Sequence, residues 1–191
     1  MLHPVARRPA ASWREECLTL LAAGDWYPLS RTAMAWRLDG GAYTPEAWLA
    51  DVSAALLDQQ PKTAVHCCDM ALHVWVERPQ DRAVLHHVRG LLVADHLRDP
   101  GSALPDLEFS AGGPAWLRDD TRRELERVRG RAATSRVRVP RAQPAPEYDA
   151  AYLDLVSGPS SSPRPPRPDP FPEDGAEPAL WARTLPLLTQ A

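Results

Sequence analysis

Apolar residues recur every three or four positions between about residues 12 and 133, which is the period of one face of an α-helix. Trp48, Val52 and Leu56 illustrate the spacing, and Gly or Pro separates one such set from the next. Because the intervening turns are short, neighbouring helices are expected to form antiparallel hairpins, and the predicted fold class is all-α. The pattern predicts seven helices, over residues 12–23, 27–39, 45–59, 62–78, 81–98, 101–111 and 114–133.

Residues at two of the predicted boundaries favour helix starts. Thr44 precedes Pro45, and a Thr hydroxyl can accept a hydrogen bond from a free amide while Pro suits the first helical position. Further along, Asp99-Pro100-Gly101 ends one helix and begins the next, which predicts a tight fold-back.

The predicted hairpins also repeat, with equivalent apolar positions about 35 residues apart. Trp13 and Trp48 are one such pair. In the third unit, Gly90 lies on the first helix and Ala103 on the second. Such a period indicates helical units stacked in a row.

The segment RGLLVADHLRDPGSALPDLEFS resembles the signature turn of the tetratricopeptide repeat family, in which a Gly on the first helix lets a second helix with a small Ala pack close. The segment AGDWYPLSRTAMAW is similar to the family's other common turn. The resemblance covers residues 12–133 and implies a short solenoid whose first helices line a groove for a peptide or protein surface. It makes Arg14, Trp48, His87 and Leu91 candidate groove residues. A generic antiparallel helical bundle is the alternative topology.

The sequence contains none of the common catalytic or phosphate-binding motifs. Its densest set of reactive side chains is HCCDMALH, with His66, Cys67, Cys68 and His73. Zinc needs four ligands in a tetrahedron, whereas adjacent Cys residues point about 100° apart on a helix, which disfavours a metal site. The resemblance to the repeat family places Cys68 where a core side chain packs, so burial of Cys68 in the core is the preferred interpretation. We therefore predict no metal site, no cofactor and no catalytic residue, and expect a protein that is not an enzyme.

The composition is ordinary for a water-soluble chain, with 44% hydrophobic residues and a formal charge of -3. Three Cys residues cannot all pair with one another, which favours a reducing compartment. No apolar run approaches the roughly 18 residues of a membrane span, and the N-terminus lacks a signal-peptide core. We expect a cytoplasmic protein that does not bind membranes.

Arginines concentrate between residues 118 and 141, where nine of them accompany four acidic residues. The positive charges after Arg127 are expected to be unopposed, and such a basic stripe is typical of phosphate binding. A solvated helix with internal pairs, such as Glu124–Arg127 and Glu126–Arg129, is the other interpretation. The candidate nucleic-acid contacts are Arg122, Arg129, Arg131, Arg136, Arg138 and Arg141.

Beyond the predicted helices the chain becomes rich in Pro and Ser. We predict a flexible N-terminus over residues 1–11, a helical domain over 12–133, a disordered linker over 134–176 and an amphipathic segment over 177–191. A helix is predicted over residues 177–185, which Pro186 is expected to end or bend. Its candidate docking residues are Leu180, Trp181, Leu185, Leu187 and Leu188. Residues 178–190 are predicted to contact a helical surface, either of this chain or of a partner.

These features favour a non-enzymatic helical adaptor that binds another protein or peptide. A nucleic-acid-binding protein that uses residues 118–141 is the alternative. The first hypothesis requires an apolar or mixed face formed by helices 12–23, 45–59 and 81–98, and the second requires a continuous positive surface.

Overall fold

The computed structural model describes residues 8–74, 79–135 and 180–189, and every regular element within these ranges is helical. The prediction of an all-α fold is confirmed. The α-helices are α1 Ala10–Ala23, α2 Trp26–Leu38, α3 Pro45–Leu57, α4 Pro61–His73, α5 Pro79–Leu91, α6 Pro100–Ser110, α7 Ala115–Ser135 and α8 Trp181–Thr189. A 3-10 turn, Gly41–Tyr43, precedes α3, and α5 continues into a π-helical turn, Leu92–His96, which we call the π segment.

The seven helices predicted before residue 134 are all present, with most ends within two residues of the prediction and two larger differences. Helix α4 ends at His73, and Val74 is already extended, whereas the prediction continued to residue 78. Residues 75–78 lie outside the described part of the chain. The helix predicted over 81–98 is instead α5 followed by the π segment, in which the Leu97 amide donates to the Leu92 carbonyl at 3.0 Å.

Capping differs between helix ends. Gly24 ends α1 with a φ of 73°, a left-handed conformation that glycine adopts without strain. At the predicted fold-back, the Asp99 side chain accepts a hydrogen bond from the Ser102 amide at 3.0 Å and caps α6. The cap predicted for Thr44 is wrong, because its hydroxyl donates to the Gly41 carbonyl at 2.9 Å and makes no bond to α3.

Each helix from α1 to α7 packs against the next one along the chain. Helices α1, α3, α5 and α7 also contact one another in order, as expected for hairpins that stack in a row. Helix α8 does not extend this row. It lies mainly on α3 and also contacts α1, α5 and the π segment, so it covers one face of the stack.

The close approach of α5 and α6 depends on Gly90. A Cβ atom at this position would lie 2.8 Å from Cγ of Leu107, closer than real side chains come. The predicted role of Gly90 in close packing is therefore confirmed, with Leu107 above it and Ala103 fully buried nearby on the same helix.

Most of the buried side chains form one continuous core that extends from Cys17 on α1 to Val128 on α7. Trp181 and Leu188 of α8 belong to this same core, and so does Leu180 just before the helix. The C-terminal helix is thus integrated into the packing of the stack.

Candidate functional site

The candidate site is the surface of α1, α3, α5 and the π segment that α8 covers, which we call the docking face. These three helices are the ones that the sequence assigned to the partner-binding face. In this structure their occupant is a segment of the same chain. The docking face was described from the sequence only by its helices, and the structure adds the contacts that hold α8 there.

Trp181 is the largest buried side chain of α8, with 1% of its surface exposed. Its ring meets His87 of α5 edge to face, with ring centroids 5.3 Å apart. Trp116 of α7 contacts it in the same manner at 5.8 Å. Aromatic side chains held in a pocket in this way commonly provide most of the free energy of an interface.

A buried polar contact fixes the middle of α8 against α3. The hydroxyls of Ser53 and Thr184 lie 2.9 Å apart, and both residues are completely buried. Each hydroxyl also lies within hydrogen-bonding distance of the carbonyl four residues earlier, 2.8 Å from Leu49 and from Leu180 respectively. Each hydroxyl has one proton, so one of the two groups donates to the other and the second donates to the carbonyl of its own helix, which satisfies the pair across the interface.

The C-terminal end of α8 is held by the π segment. Nε2 of His96 lies 3.1 Å from the Leu188 carbonyl oxygen, which can only accept, so His96 donates. Because Trp181 lies beside His87 and Leu188 beside His96, α8 runs in the same direction as α5. The contacts at both ends thus define the orientation and the register of α8.

The helix predicted to end or bend near Pro186 continues to Thr189. Pro186 is exposed, while Leu188 beyond it is completely buried in the main core. Proline inside a helix costs about 3 kcal/mol because it removes a hydrogen bond and crowds the preceding turn. Burial of Leu188 and the His96 contact offset this cost, so the expectation that Pro186 ends the helix is wrong.

Of the five candidate docking residues, Leu180, Trp181 and Leu188 are buried, and Leu185 and Leu187 are partly buried against the core. Hydropathy alone did not identify Thr184 or its partner Ser53. Spacing offered one signal, since Thr184 lies three residues after Trp181 and four before Leu188, on the same helix face.

The four candidate groove residues do not form one open surface. Arg14 makes an ion pair with Glu46, N to O 2.7 Å, and Trp48 packs with Ala71 and Leu85 in a separate apolar cluster. His87 and Leu91 are buried beneath α7 and α8, beside a cleft of about 410 Å³ that Leu185 also lines. Trp48, His87 and Leu91 are thus buried, and His87 contacts α8 through the ring of Trp181.

His87 is a buried imidazole in a hydroxyl network. Its Nδ1 lies 2.8 Å from the Thr121 hydroxyl, which in turn lies 3.1 Å from that of Ser110. Burial lowers the pKa of His87 to about 4, although Asp120 acts in the opposite direction. The ring beneath Trp181 is therefore neutral near pH 7.

A second buried titratable group, Asp51 of α3, lies close to Arg37 of α2. Oδ2 of Asp51 and Nε of Arg37 are 2.7 Å apart, but the atoms are not aligned for a hydrogen bond. Burial raises the pKa of Asp51 to about 6, and the nearby Arg37 only partly opposes this. The Arg37 guanidinium also stacks 4.3 Å from the centre of the Trp48 ring.

Most of the described arginines of α7 contact acidic side chains. Arg127 pairs with Glu124, as predicted, and both Arg127 and Arg131 pair with Asp95 of the π segment. Arg129 pairs with Glu108 of α6, at 2.9 Å, rather than with Glu126. The expectation that charges after Arg127 are unopposed is therefore wrong for Arg129 and Arg131.

The remaining nucleic-acid candidates divide into two groups. Arg122 is exposed and lies 3.7 Å from Asp119. Arg136, Arg138 and Arg141 lie outside the described residues.

The reactive residues of α4 do not converge on a metal site. Cys68 is completely buried, as predicted, and burial raises its pKa well above that of an ordinary thiol. Nδ1 of His73 lies 2.7 Å from the Asp69 carbonyl oxygen. Over residues 8–74, 79–135 and 180–189, no group of three or more His, Cys, Asp or Glu side chains is arranged to bind a metal ion.

None of the helices in the described part of the chain combines the length and apolar character needed to cross a bilayer. Searches of protein-family models, of curated proteins and of solved structures found no match to this chain. Membership of the tetratricopeptide repeat family thus stays a prediction, and the candidate site is defined by its own contacts.

Proposed function

We propose that this protein is a non-enzymatic adaptor whose docking face binds a short amphipathic helix of another protein. In the absence of that partner, α8 of the same chain occupies the face. The observation that supports this function is the burial of α8 through one aromatic anchor, one hydroxyl pair and one backbone contact.

The attachment of α8 to the same chain favours an exchangeable occupant. Docking buries three large apolar side chains, Leu180, Trp181 and Leu188, but it must also order the backbone of a short helix. The covalent connection through residues 136–179 raises the local concentration of α8 to about the millimolar range, which favours docking of a helix that would bind weakly on its own. A partner segment that forms a more stable helix or buries one more apolar anchor would displace α8.

A protease site inserted between residues 150 and 160 of the full chain tests this proposal. Cleavage cuts the covalent connection to α8 without removing it, so the C-terminal fragment should remain bound at high protein concentration and dissociate on dilution. Size-exclusion chromatography at several concentrations would measure this. A labelled peptide of residues 178–191 should then bind to the cleaved protein and compete with the fragment.

The matched control is the same cleavable chain with Trp181→Ala, from which the fragment should dissociate at much higher protein concentration. Arg183→Ala, at an exposed position of α8, should behave like the parent chain. If the parent fragment dissociates at every concentration and the peptide does not bind, the docking face does not bind helices as separate molecules and the proposal is wrong.

A further inference from the structure

We infer that the docking face selects its helical partner by a buried hydroxyl, and that Ser53 is the residue that determines this selectivity. The preferred partner is a helix with the pattern Leu-Trp-x-x-Thr/Ser-x-x-x-Leu that ends within one turn of the last Leu. This inference rests on the proposed function, because it specifies which helices the same face would accept.

Ser53 is a polar group in an otherwise apolar part of the docking face. It is completely buried on α3, and so are its neighbours Leu49, Ala50 and Val52. Its hydroxyl can donate a hydrogen bond to the Leu49 carbonyl, but the hydroxyl oxygen still needs a donor from the occupant. Thr184 supplies that hydroxyl at 2.9 Å.

An apolar side chain opposite Ser53 would leave this oxygen without a partner in a site closed to water. The penalty for a buried unsatisfied polar group corresponds to a loss of roughly ten- to a hundredfold in affinity. Serine would retain the hydroxyl and lose only one methyl group. The docking face should therefore discriminate Thr or Ser from Val, although Thr and Val have nearly the same shape.

The positions of Leu180, Trp181, Thr184 and Leu188 explain the rest of the pattern. All four are completely or almost completely buried, whereas Arg183 and Pro186 are exposed. Packing thus restricts which residues fit at the four buried positions, whereas the two exposed positions accept many residue types.

The requirement for a helix end comes from His96. Its Nε2 donates to the Leu188 carbonyl, which lies in the last turn of α8 and has no helical amide to bond with. In a longer helix, the amide four residues further on would occupy that carbonyl. His96 therefore favours an occupant whose helix stops where α8 stops.

The test uses full-length protein with Trp181→Ala, so that the intact chain keeps its tether while its own α8 no longer competes strongly. The probes are fluorescent peptides of residues 178–191 with Thr, Ser or Val at position 184, and anisotropy titration gives each dissociation constant. We expect similar binding of the Thr and Ser peptides and at least about tenfold weaker binding of the Val peptide. An Arg183→Ala peptide should bind like the parent peptide.

A second protein variant separates selectivity from general packing. With Ser53→Ala added, the preference for the Thr peptide over the Val peptide should disappear or reverse, because the buried hydroxyl without a partner across the interface is then that of Thr184. Equal binding of Thr and Val peptides to the Ser53 protein would overturn the inference while leaving the proposed function intact. Failure of every peptide to bind would overturn both.

Discussion

Asp51 and His87 are buried titratable residues whose responses to pH have opposite signs. Burial raises the pKa of Asp51 to about 6 and lowers that of His87 to about 4. In both cases the neutral form is the one that suits the folded protein. Acidification between pH 6.5 and pH 4 therefore stabilises the fold through Asp51 and destabilises it through His87.

For Asp51, the folded state binds a proton more tightly than the unfolded state, so the free energy of unfolding falls as pH rises from about 4 to about 6. The whole effect is at most about 3 kcal/mol. We expect Asp51→Asn to remove this pH dependence and to raise stability at pH 7 by on the order of 1 kcal/mol, since Arg37 is partly exposed and keeps its contact with Trp48. Urea unfolding of both proteins between pH 4 and pH 7 measures the free energy of unfolding and its pH dependence.

The control for this substitution is Asp25→Asn, at an exposed position, which should leave the pH profile unchanged. A strong loss of stability in Asp51→Asn at pH 7 would show that the pairing of Asp51 with Arg37 outweighs the cost of burial.

For His87, the unfolded state binds the proton more tightly, so stability falls as pH decreases from about 6.5 to about 4. This loss amounts to up to about 3 kcal/mol. We expect His87→Gln to remove the acid-dependent loss and to lower stability modestly at pH 7, because the ring contact with Trp181 disappears. Unfolding at pH 7 and pH 4.5 tests this, and His73→Gln at an exposed site is the control. An unchanged acid sensitivity would assign it to another group.

At this scale the sequence predicts apolar burial better than polar pairing. Trp181 was identified because hydropathy and spacing place it on an apolar face, and Cys68 because the resemblance to the repeat family places it in the core. Ser53 and Thr184 were not, because a hydroxyl residue is compatible with an exposed position and its partner lies on a distant helix. Thr44 shows the same limit. Its hydroxyl could bond either to a free amide of α3 or to the preceding turn, and it donates to the Gly41 carbonyl of that turn.

Helix packing in the third hairpin gives an element-scale prediction at Gly90. Alanine is the better helix former by about 1 kcal/mol, but its Cβ would collide with Leu107 on α6. Overpacking of this kind costs about 1–3 kcal/mol. We expect Gly90→Ala to destabilise the protein by about 1–2 kcal/mol in thermal or urea unfolding.

Gly130 of α7 is the matched control, because a Cβ there would meet nothing within 4 Å. Gly130→Ala should stabilise the protein by up to about 1 kcal/mol. If both substitutions stabilise, α5 and α6 can separate more easily than their contact distance indicates.

Helix number and approximate bounds followed from the sequence because the apolar period and the Gly and Pro breaks are local signals. The π segment did not, since its extra residue per turn hardly changes the apolar pattern over five residues. The course of α8 through Pro186 was also not predictable. Local propensity opposes a helix there, and the stabilising contacts come from residues more than ninety positions earlier.

At the scale of the whole molecule, the charges of α7 are largely used in contacts between helices. Both Arg127 and Arg131 connect α7 to Asp95. We expect Arg129→Ala with Arg131→Ala to lower stability by about 1 kcal/mol and to leave any binding of duplex DNA unchanged. Anisotropy titrations at two salt concentrations test the nucleic-acid alternative. Steeply salt-dependent binding that weakens in this variant would support it.

Truncation at Gly175 tests the contribution of α8 to the intact protein. The helical content of residues 12–133 should persist, while removal of three buried apolar side chains lowers stability by a few kcal/mol and exposes the docking face. Circular dichroism, binding of a hydrophobic dye and light scattering would measure these effects. If the truncated chain is as stable as the full-length protein, binds no more dye and stays monomeric, α8 does not cover this face in solution.

The overall architecture was predictable to the level of stacked helical hairpins, whose neighbours in sequence are neighbours in space. Which surface α8 would cover was only partly predictable. Its amphipathic character and the helices of the face were predictable from local patterns. The choice between the chain's own face and a partner depends on a competition between two occupants, which no local pattern records.

The π segment can also be understood as a one-residue insertion. An α-helix turns about 100° per residue, so deletion of Ala94 would restore regular winding and rotate every later side chain of that turn by this angle. His96 would then point away from Leu188, and Asp95 would move away from Arg127. A related sequence one residue shorter here would keep its hairpins and lose the contacts that hold α8. The length of this single turn would therefore distinguish relatives whose own C-terminal helix docks on this face from those in which it does not.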